Sequence, residues 1–163
     1  MKKIGTINEH NFSRDKISKL PIRKKVRGLI YKNKNTLVCV EENVYEMKHL
    51  LKLPGGSVEK NESNIKAIKR EILEETGYQI DNIKCIGFIE NIRKEHLLHM
   101  TYYVAKTKGK KKKIKLTDAE LKVETKPIEI NIETALKRIK HEYDKAHHDS
   151  SLRDIMVFNE LNK

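Results

Sequence analysis

The chain has 163 residues, 37% hydrophobic and 36% charged, a length and balance that suit one soluble domain with its own core. No stretch reaches the roughly 20 consecutive apolar residues of a membrane helix, and no apolar signal core follows the basic start. These features predict a cytoplasmic protein without a membrane partner. The formal net charge of +12 favours anionic partners in general, because a positive field speeds the encounter with phosphates of any kind.

The N-terminal part of the chain divides into an extension and the start of a domain. Residues 1–20 are polar and weakly patterned, which predicts an N-terminal extension that either adds an edge strand or stays mobile. Residues 21–163 are expected to form a single domain. Two apolar and β-branched runs, Val26–Tyr31 and Thr36–Glu42, flank the polar turn "KNKN" and predict a hairpin.

Basic side chains accompany the first strand of this hairpin. Arg27 stands beside Gly28, where a charge interrupts an otherwise apolar run, and Arg23, Lys24 and Lys25 precede it. Arginine forms charge-assisted hydrogen bonds with phosphate oxygens, so Arg27 and Arg23 are candidates for substrate binding. The alternative is a strand face that is open to solvent.

A loop followed by a helix is the most informative part of the chain, "LPGGSVEKNESNIKAIKREILEETGYQI", Leu53–Ile80. Ser63 is a good N-cap, isoleucines recur at spacings of three and four, and Gly77 supplies a stop signal. The segment between Ser63 and Gly77 is therefore predicted to be a helix.

Three glutamates crowd the end of this helix. At 3.6 residues per turn, the side chains of Glu71, Glu74 and Glu75 lie close together on the helix surface, and their negative charges repel one another. Salt bridges to nearby lysines would offset the repulsion in a charge-laced surface helix. The alternative is a bound divalent cation, held by these carboxylates and by carbonyl oxygens of the glycine loop before the helix. Such oxygen ligands suit magnesium or manganese, which take further ligands from substrate phosphates and so predict a phosphoanhydride substrate.

The remaining patterns predict a mixed sheet with helices packed on it, an α+β fold. "IKCIGFIENI", "LLHMTYYVAKTKG" and part of "ELKVETKPIEI" are strand-like, while "IETALKRIKHEYDKAHH" and "SSLRDIMVFNELNK" are helical. Adjacent His147 and His148 are better explained by a helix-helix connection than by a metal site, because neighbouring side chains point apart.

Seven lysines surround Gly109 in "KTKGKKKKIK", Lys106–Lys115. A solvated hairpin tip is the favoured interpretation, and contact with a nucleic-acid backbone is the alternative. No aromatic residues, on which bases could stack, are interleaved with the lysines, so the second interpretation is the weaker one.

The spacing from Gly56 to Tyr78 resembles the Nudix box. Five residues separate Gly56 from Glu62, and seven more lead to "REILEETGY", which begins at Arg70. Two positions depart from the pattern: Tyr78 stands where an aliphatic residue is usual, and Asn61 where many members have glycine. Neither departure alters a metal ligand, and asparagine tolerates left-handed backbone angles.

The resemblance implies the fold and a metal site. The fold would be an α/β/α sandwich, with the mixed sheet between helices. Glu74 and Glu75 would be primary metal ligands, Glu71 would bind or position a metal, and the carbonyl of Gly55 or Gly56 would complete the site.

Further residues receive roles from the same resemblance. Arg70 would hold Glu71 or Glu74 in place, Glu62 would support the junction of loop and helix, and Gly77 would be a structural residue of the box. The general base is often a glutamate on a late loop in this family; "LTDAELKVE" offers Glu120, and Glu71 is the competing candidate.

The activity implied is magnesium-dependent hydrolysis of a nucleoside diphosphate linked to another group, with manganese as the alternative metal. The loop "LPGGSVEKNES" is similar to that of enzymes that convert ordinary or oxidised nucleoside triphosphates to monophosphate and pyrophosphate. Removal of pyrophosphate from the 5′ end of RNA through the lysine tract is one alternative. Another is a ligand sensor that has lost catalysis, which the complete glutamate set disfavours. The expected partner is a small nucleotide, and a homodimer is compatible with the resemblance.

Overall fold

A computed structural model describes residues 1–44 and 47–162. Within these residues, strands and helices cover most of the chain. In chain order they are β1 (Lys3–Ile7), α1 (Arg14–Ser18), β2 (Ile22–Asn33), β3 (Thr36–Val44), β4 (Met47–Lys52), α2 (Asn64–Thr76), β5 (Gln79–Ile92), β6 (Leu97–Lys108), α3 (Asp118–Lys122), β7 (Lys126–Asn131), α4 (Ile132–Ala146) and α5 (Asp149–Leu161).

The strands form one mixed sheet in the order β1-β5-β6-β2-β3-β4, with β7 paired to β3. The pairs β1–β5 and β2–β6 are parallel, and the other pairs are antiparallel. Helix α2 packs on one face of the sheet, and α4 and α5 pack on the opposite face and against each other. This arrangement confirms the predicted α/β/α sandwich.

Two apolar cores lie on either side of the sheet, because both sheet faces are covered by helices. The core beneath α2 includes Val26, Ile30, Ala67, Ile68 and Ile72. The larger core, beneath α4 and α5, includes Leu29, Leu51, Leu53, Tyr102, Ile139 and Phe158. In the described part of the chain, no helix combines the length and apolar character needed to cross a membrane.

A split between β2 and β3 positions the loop that precedes α2. The two strands pair only near their turn, from Ile30 to Asn33 on β2. Further back along β2, the chain at 54–58 takes the place of a neighbouring strand. The Val26 N–H donates to the Gly56 carbonyl at 2.9 Å, and the Gly28 N–H donates to the Pro54 carbonyl at 2.9 Å. The Pro-Gly-Gly loop is therefore fixed to the sheet.

Several predicted elements are present with adjusted bounds. The N-terminal extension adds an edge strand, β1, which pairs in parallel with β5. The hairpin is confirmed, although both strands are longer than predicted. His147 and His148 lie between α4 and α5 as their C-cap and N-cap. The last predicted helix ends at Leu161, and position 163 of that prediction lies outside the described residues.

The prediction of a hairpin tip at the lysine tract is wrong. Strand β6 ends at Lys108, and the next strand, β7, pairs with β3 rather than with β6. Residues 110–115, which we call the lysine strap, instead cross the C-terminal end of α2. The Lys112 N–H donates to the Gly77 carbonyl at 2.7 Å, and the Lys115 N–H donates to the Glu74 carbonyl at 2.8 Å. The free carbonyls at a helix end thus attract the strap backbone.

Candidate active site

Two glycines let the loop approach both β2 and α2 closely. Gly55 has φ of 134°, and a Cβ there would lie 2.3 Å from the Val26 carbonyl oxygen. A Cβ at Gly56 would lie 2.5–2.6 Å from the carboxylate atoms of Glu71. Any side chain at either position would therefore displace the loop or the carboxylate.

Helix α2 presents its glutamates to this loop. The side chain of Ser63 accepts from the Lys66 N–H at the N-terminus, and Gly77, with φ of 77°, ends the helix. Glu75 is 3% exposed, and its carboxylate accepts from the Gly55 N–H at 2.7 Å. The helix and the loop are therefore joined at the acidic cluster itself.

Arg70 fixes the surrounding carboxylates. It donates two hydrogen bonds to Glu62, at 3.0 and 2.9 Å, and one each to Glu71 at 2.9 Å and Glu74 at 3.1 Å. It also donates to the Ser57 carbonyl at 2.9 Å. The bonds to Glu62, followed by those to Glu71, raise the pKa of Arg70 above its ordinary value. One guanidinium thus links the loop to two glutamates of the helix and fixes their relative positions.

A third carboxylate comes from α3. Glu71, Glu75 and Glu120 each bring one oxygen within 4.8 Å of the other two. Glu120 lies on this short helix rather than on the expected loop. Its carboxylate accepts from the Thr117 N–H at 2.6 Å, and the Thr117 hydroxyl accepts in return from the Glu120 N–H. This capping box restrains the Glu120 side chain, and its carboxylate still lies beside those of Glu71 and Glu75.

Burial disfavours the charge on the two inner glutamates. Desolvation raises the pKa of Glu75 to about 8, with Glu71 and Glu120 adding to the rise and Arg27 and the Gly55 N–H opposing it. Desolvation also raises the pKa of Glu71, against the opposing effect of Arg70. A cation placed among these oxygens would favour the ionised forms.

Cations form the opposite wall. Lys25 and Arg27 extend from β2, and Lys52 lies at the end of β4, where it forms an ion pair with Glu42. Burial lowers the pKa of Arg27, but Glu75 and Asp154 more than offset that effect. Burial, with the nearby Arg27 charge, lowers the pKa of both lysines.

Helix α5 supports this wall from behind. Fully buried Asp154 accepts from the Leu53 N–H at 3.0 Å, and Arg27 donates to the Leu53 carbonyl. Both backbone polar groups of Leu53, just before the Pro-Gly-Gly loop, are therefore fixed. Burial raises the pKa of Asp154 to about 6, although Arg27, the Leu53 N–H and Arg153 oppose the rise.

Acidic and basic walls enclose a single open cleft with a volume of about 500 Å³. It runs from β2 and β4 across the Pro-Gly-Gly loop to α2 and α3. The charged residues that line it are Lys25, Arg27, Glu42, Lys52, Glu59, Arg70, Glu71, Glu74, Glu75 and Glu120.

Most of the residues singled out from the sequence meet at this cleft. Glu74 lines it with a side chain that is 33% exposed, outside the close trio. The Gly56 carbonyl already accepts from the Val26 N–H, so metal binding there would use its second lone pair. Arg23 is exposed and does not line the cleft, and its role in substrate binding stays a prediction.

Lys52, Glu42 and Asp154 were missed. Lys52 could have been found, because it is a charge between two leucines directly before the Pro-Gly-Gly loop. Asp154 carries no local signal, since its partner Leu53 is 101 positions away.

Comparisons with known proteins agree with this architecture. A family model for the NUDIX domain matches residues 21–149. The 8-oxo-dGTP diphosphatase of Buchnera aphidicola subsp. Acyrthosiphon pisum is 36% identical over 59 residues, which cover 36% of this chain and 48% of that protein. The match thus spans about half the length of that relative.

Solved structures share the fold. A NUDIX hydrolase from Nitrosomonas europaea superposes with a TM-score of 0.66 at 19% identity, over 87% of this chain and 88% of that one. The E. coli ORF135 protein superposes with a TM-score of 0.56 at 16% identity, over 74% and 81%. Because the family match covers most of the chain and includes the glycine loop and α2, the protein belongs to the Nudix family.

Proposed function

We propose that this protein is a magnesium- or manganese-dependent hydrolase of a nucleoside diphosphate linked to another group. Its favoured substrates are ordinary or oxidised nucleoside triphosphates, cleaved to monophosphate and pyrophosphate. The observation that carries the proposal is the single cleft in which a wall of carboxylates faces a wall of cations. Divalent metal and polyphosphate together complement these two walls.

The acidic wall fits a hard divalent cation. Its donors are carboxylate oxygens from two helices, brought within 4.8 Å of one another beside a loop whose carbonyls add further oxygens. Burial makes the negative charges of these carboxylates costly, and a bound cation would neutralise them. Their oxygen atoms are also the ligand type that hard divalent cations prefer. A bound metal would lower the pKa of a water and neutralise charge that develops on the phosphate oxygens.

The chain's own residues would orient the substrate and move the proton. Lys25, Arg27 and Lys52 provide positive charge on the side where the phosphates would lie. Glu120 is the proposed general base, because its carboxylate is at the cluster while its capping box restrains the side chain. Arg70 would position the carboxylates rather than touch the substrate.

The substrate class rests on two supports. The loop before α2 is similar to that of nucleoside triphosphate hydrolases, and the Buchnera relative is named for the hydrolysis of an oxidised nucleotide. The cleft is open, with a volume of about 500 Å³, which is within the usual range for small-molecule sites.

The test is pyrophosphate and phosphate release from a panel of nucleoside triphosphates, 8-oxo-dGTP, ADP-ribose and dinucleoside polyphosphates, with Mg²⁺, with Mn²⁺ and with EDTA. We expect selective, metal-dependent release of pyrophosphate from a triphosphate. Turnover of ADP-ribose alone would refute the proposed substrate class. Full activity in EDTA, or in a Glu74→Gln variant, would contradict the metal role proposed for the acidic wall.

The general base is tested separately. Glu120→Gln keeps an oxygen that can accept from the Thr117 N–H, so α3 should stay capped. We expect kcat to fall while Mn²⁺ affinity, measured directly, changes little. A larger loss of kcat in Glu71→Gln at preserved Mn²⁺ affinity would reassign the role to Glu71.

A further inference from the structure

A second groove adjoins the cleft and is built by the lysine strap. It has a volume of about 360 Å³ and lies between the strap and the C-terminal half of α2. Its lining residues are Arg70, Leu73, Glu74, Lys112, Lys113 and Lys115.

The groove is held by the backbone of the strap rather than by its side chains. The N–H groups of Lys112 and Lys115 donate to carbonyls of the α2 terminus. A Cβ at Gly77 would lie 2.3 Å from the Lys112 carbonyl oxygen, so the contact is close. Lys111 places its ammonium 5.6 Å from the centre of the Tyr78 ring, which adds a cation–π contact. The lysines that line the groove are therefore presented from a fixed segment.

The groove and the cleft are separate cavities that share part of their lining. Arg70 and Glu74 line both of them, so an anion in the groove would lie next to the acidic wall. The Arg70 guanidinium is already engaged by carboxylates, and Lys112, Lys113 and Lys115 are exposed. Three lysines and one glutamate, Glu74, contribute to the lining, so the charge around the groove is net positive and attracts anions.

We propose that this groove is a second phosphate-binding site, which takes a phosphate of the substrate beyond the anhydride that is hydrolysed. The proposal deepens the proposed function and rests on it for the position of the reacting anhydride. The groove would add binding energy for a substrate that carries a phosphate beyond those of a nucleoside triphosphate, without excluding the triphosphates themselves. Such a phosphate has two sources: a phosphodiester of a 5′-triphosphorylated RNA, or a further anhydride phosphate in a nucleoside tetraphosphate.

The experiment compares two variants of equal charge in the full chain. The groove variant combines Lys112→Gln, Lys113→Gln and Lys115→Gln, which keep the backbone donors of the strap. The control combines Lys34→Gln, Lys137→Gln and Lys140→Gln, exposed lysines that line neither the cleft nor the groove. Both variants lower the net charge equally, so they separate a local site from the general positive field.

Two readouts identify the source. The first is the affinity for a fluorescent 5′-hydroxyl oligoribonucleotide, which needs no hydrolysis, measured against salt. If three lysines contact single-stranded backbone, wild type should lose about 20-fold more affinity than the groove variant between about 50 and 200 mM salt. The second is the KM for a nucleoside tetraphosphate relative to that for the triphosphate.

Each outcome decides the proposal. A flatter salt dependence in the groove variant alone supports the RNA source, and a selective rise of the tetraphosphate KM supports the nucleotide source. No change in either readout, or equal changes in the control, overturns the second site. If wild type hydrolyses nothing while the groove variant alone loses RNA affinity, the proposed function fails and the phosphate site stands. If wild type hydrolyses a triphosphate while neither readout moves, only the phosphate site fails.

Discussion

The two walls of the cleft hold opposite charges by different means. The acidic wall is organised by short-range contacts: Arg70 contacts Glu71, and Glu75 accepts from the loop between β4 and α2. The basic wall is assembled from distant parts of the chain. Arg27 donates to the Leu53 carbonyl, and Asp154, which comes from the C-terminal helix, accepts from the Leu53 N–H.

On both walls, burial makes it costly for the side chains to be charged. Burial raises the pKa of Glu71 and Glu75 and lowers that of Lys25 and Lys52, so desolvation disfavours the charged form on each side. Groups that are costly to the fold but complementary to metal and polyphosphate are typical of functional sites. Substitutions on either wall should therefore separate activity from stability.

Glu75→Gln should produce the largest effect. It removes a buried carboxylate from the proposed metal site but keeps an oxygen for the Gly55 N–H. We expect kcat/KM to fall by about 1,000-fold, the scale on which a lost electrostatic contact to the reacting group acts. At neutral pH the metal-free protein should melt at about the same temperature, because a Glu75 carboxyl with a pKa of about 8 is already mostly uncharged there.

Glu142→Gln is the matched control for this change. Glu142 is also buried, accepts from the Leu51 N–H and contacts an arginine, Arg138, but it lies outside the cleft. Its substitution should leave the metal dependence of turnover unchanged. A similar loss of kcat/KM in both variants would indicate general disruption rather than a lost metal ligand.

Asp154→Asn should change how stability depends on pH. Burial raises the pKa of Asp154 to about 6 from an ordinary value of 3.8, so the folded state favours the protonated form. That stabilisation is fully present below the unfolded-state pKa and is lost as pH rises through the folded-state value. Relative to the variant, wild type should lose up to about 3 kcal/mol of unfolding free energy between about pH 4 and pH 7.

Urea denaturation of both proteins across this pH range, in EDTA, measures the difference. Titrations of the other groups are common to both chains and cancel. Parallel stability curves would show that folding does not shift the pKa of Asp154, which would contradict the burial cost assigned to this carboxylate.

Arg70→Lys tests the organisation of the acidic wall. Lysine is a single point charge and cannot keep the paired hydrogen bonds to Glu62 together with those to Glu71 and Glu74. We expect a loss of about 30-fold in kcat/KM and a higher Mg²⁺ requirement, as for other residues that orient metal ligands. Both are read from rates across a Mg²⁺ titration.

Arg138→Lys provides the comparison. Arg138 also contacts two carboxylates, Glu41 and Glu142, and the His49 carbonyl, but lies outside the cleft. It should lower the melting temperature without changing the Mg²⁺ requirement. If both variants alter that requirement equally, Arg70 has no special role in positioning.

The contrast between the walls explains what the sequence could predict. Apart from Glu120 on α3, the acidic wall is built within a short segment, where glycine conformation, helix period and glutamate spacing are all visible. Glu74 follows from that local spacing, and a mixed sheet with packed helices follows from the strand and helix patterns. The roles of Glu62 and Arg70 and the α/β/α sandwich were expected only from the resemblance to the Nudix box.

The features that the sequence did not predict depend on packing between distant parts of the chain. Asp154 meets Leu53 only after α5 docks on the sheet, and Lys52 gains its role when β4 places it beside the cleft. The lysine strap was misjudged for the same reason. Lysines around a glycine suit a hairpin tip, but the free carbonyls of Glu74 and Gly77 at the end of α2 determine its path.

Lys25→Met should give the smallest effect and the clearest trade-off on the basic wall. Within the described residues, its side chain makes no hydrogen bond or ion pair, and burial lowers its pKa. We expect the KM for a nucleoside triphosphate to rise by about 10-fold, with kcat changed less, because a charge that faces the phosphates is lost. The melting temperature should rise, since methionine carries no desolvation cost.

Lys24→Met, at the exposed neighbouring position, should change neither the KM nor the melting temperature. A lower melting temperature in Lys25→Met, with KM unchanged, would mean that Lys25 serves the fold and not the substrate.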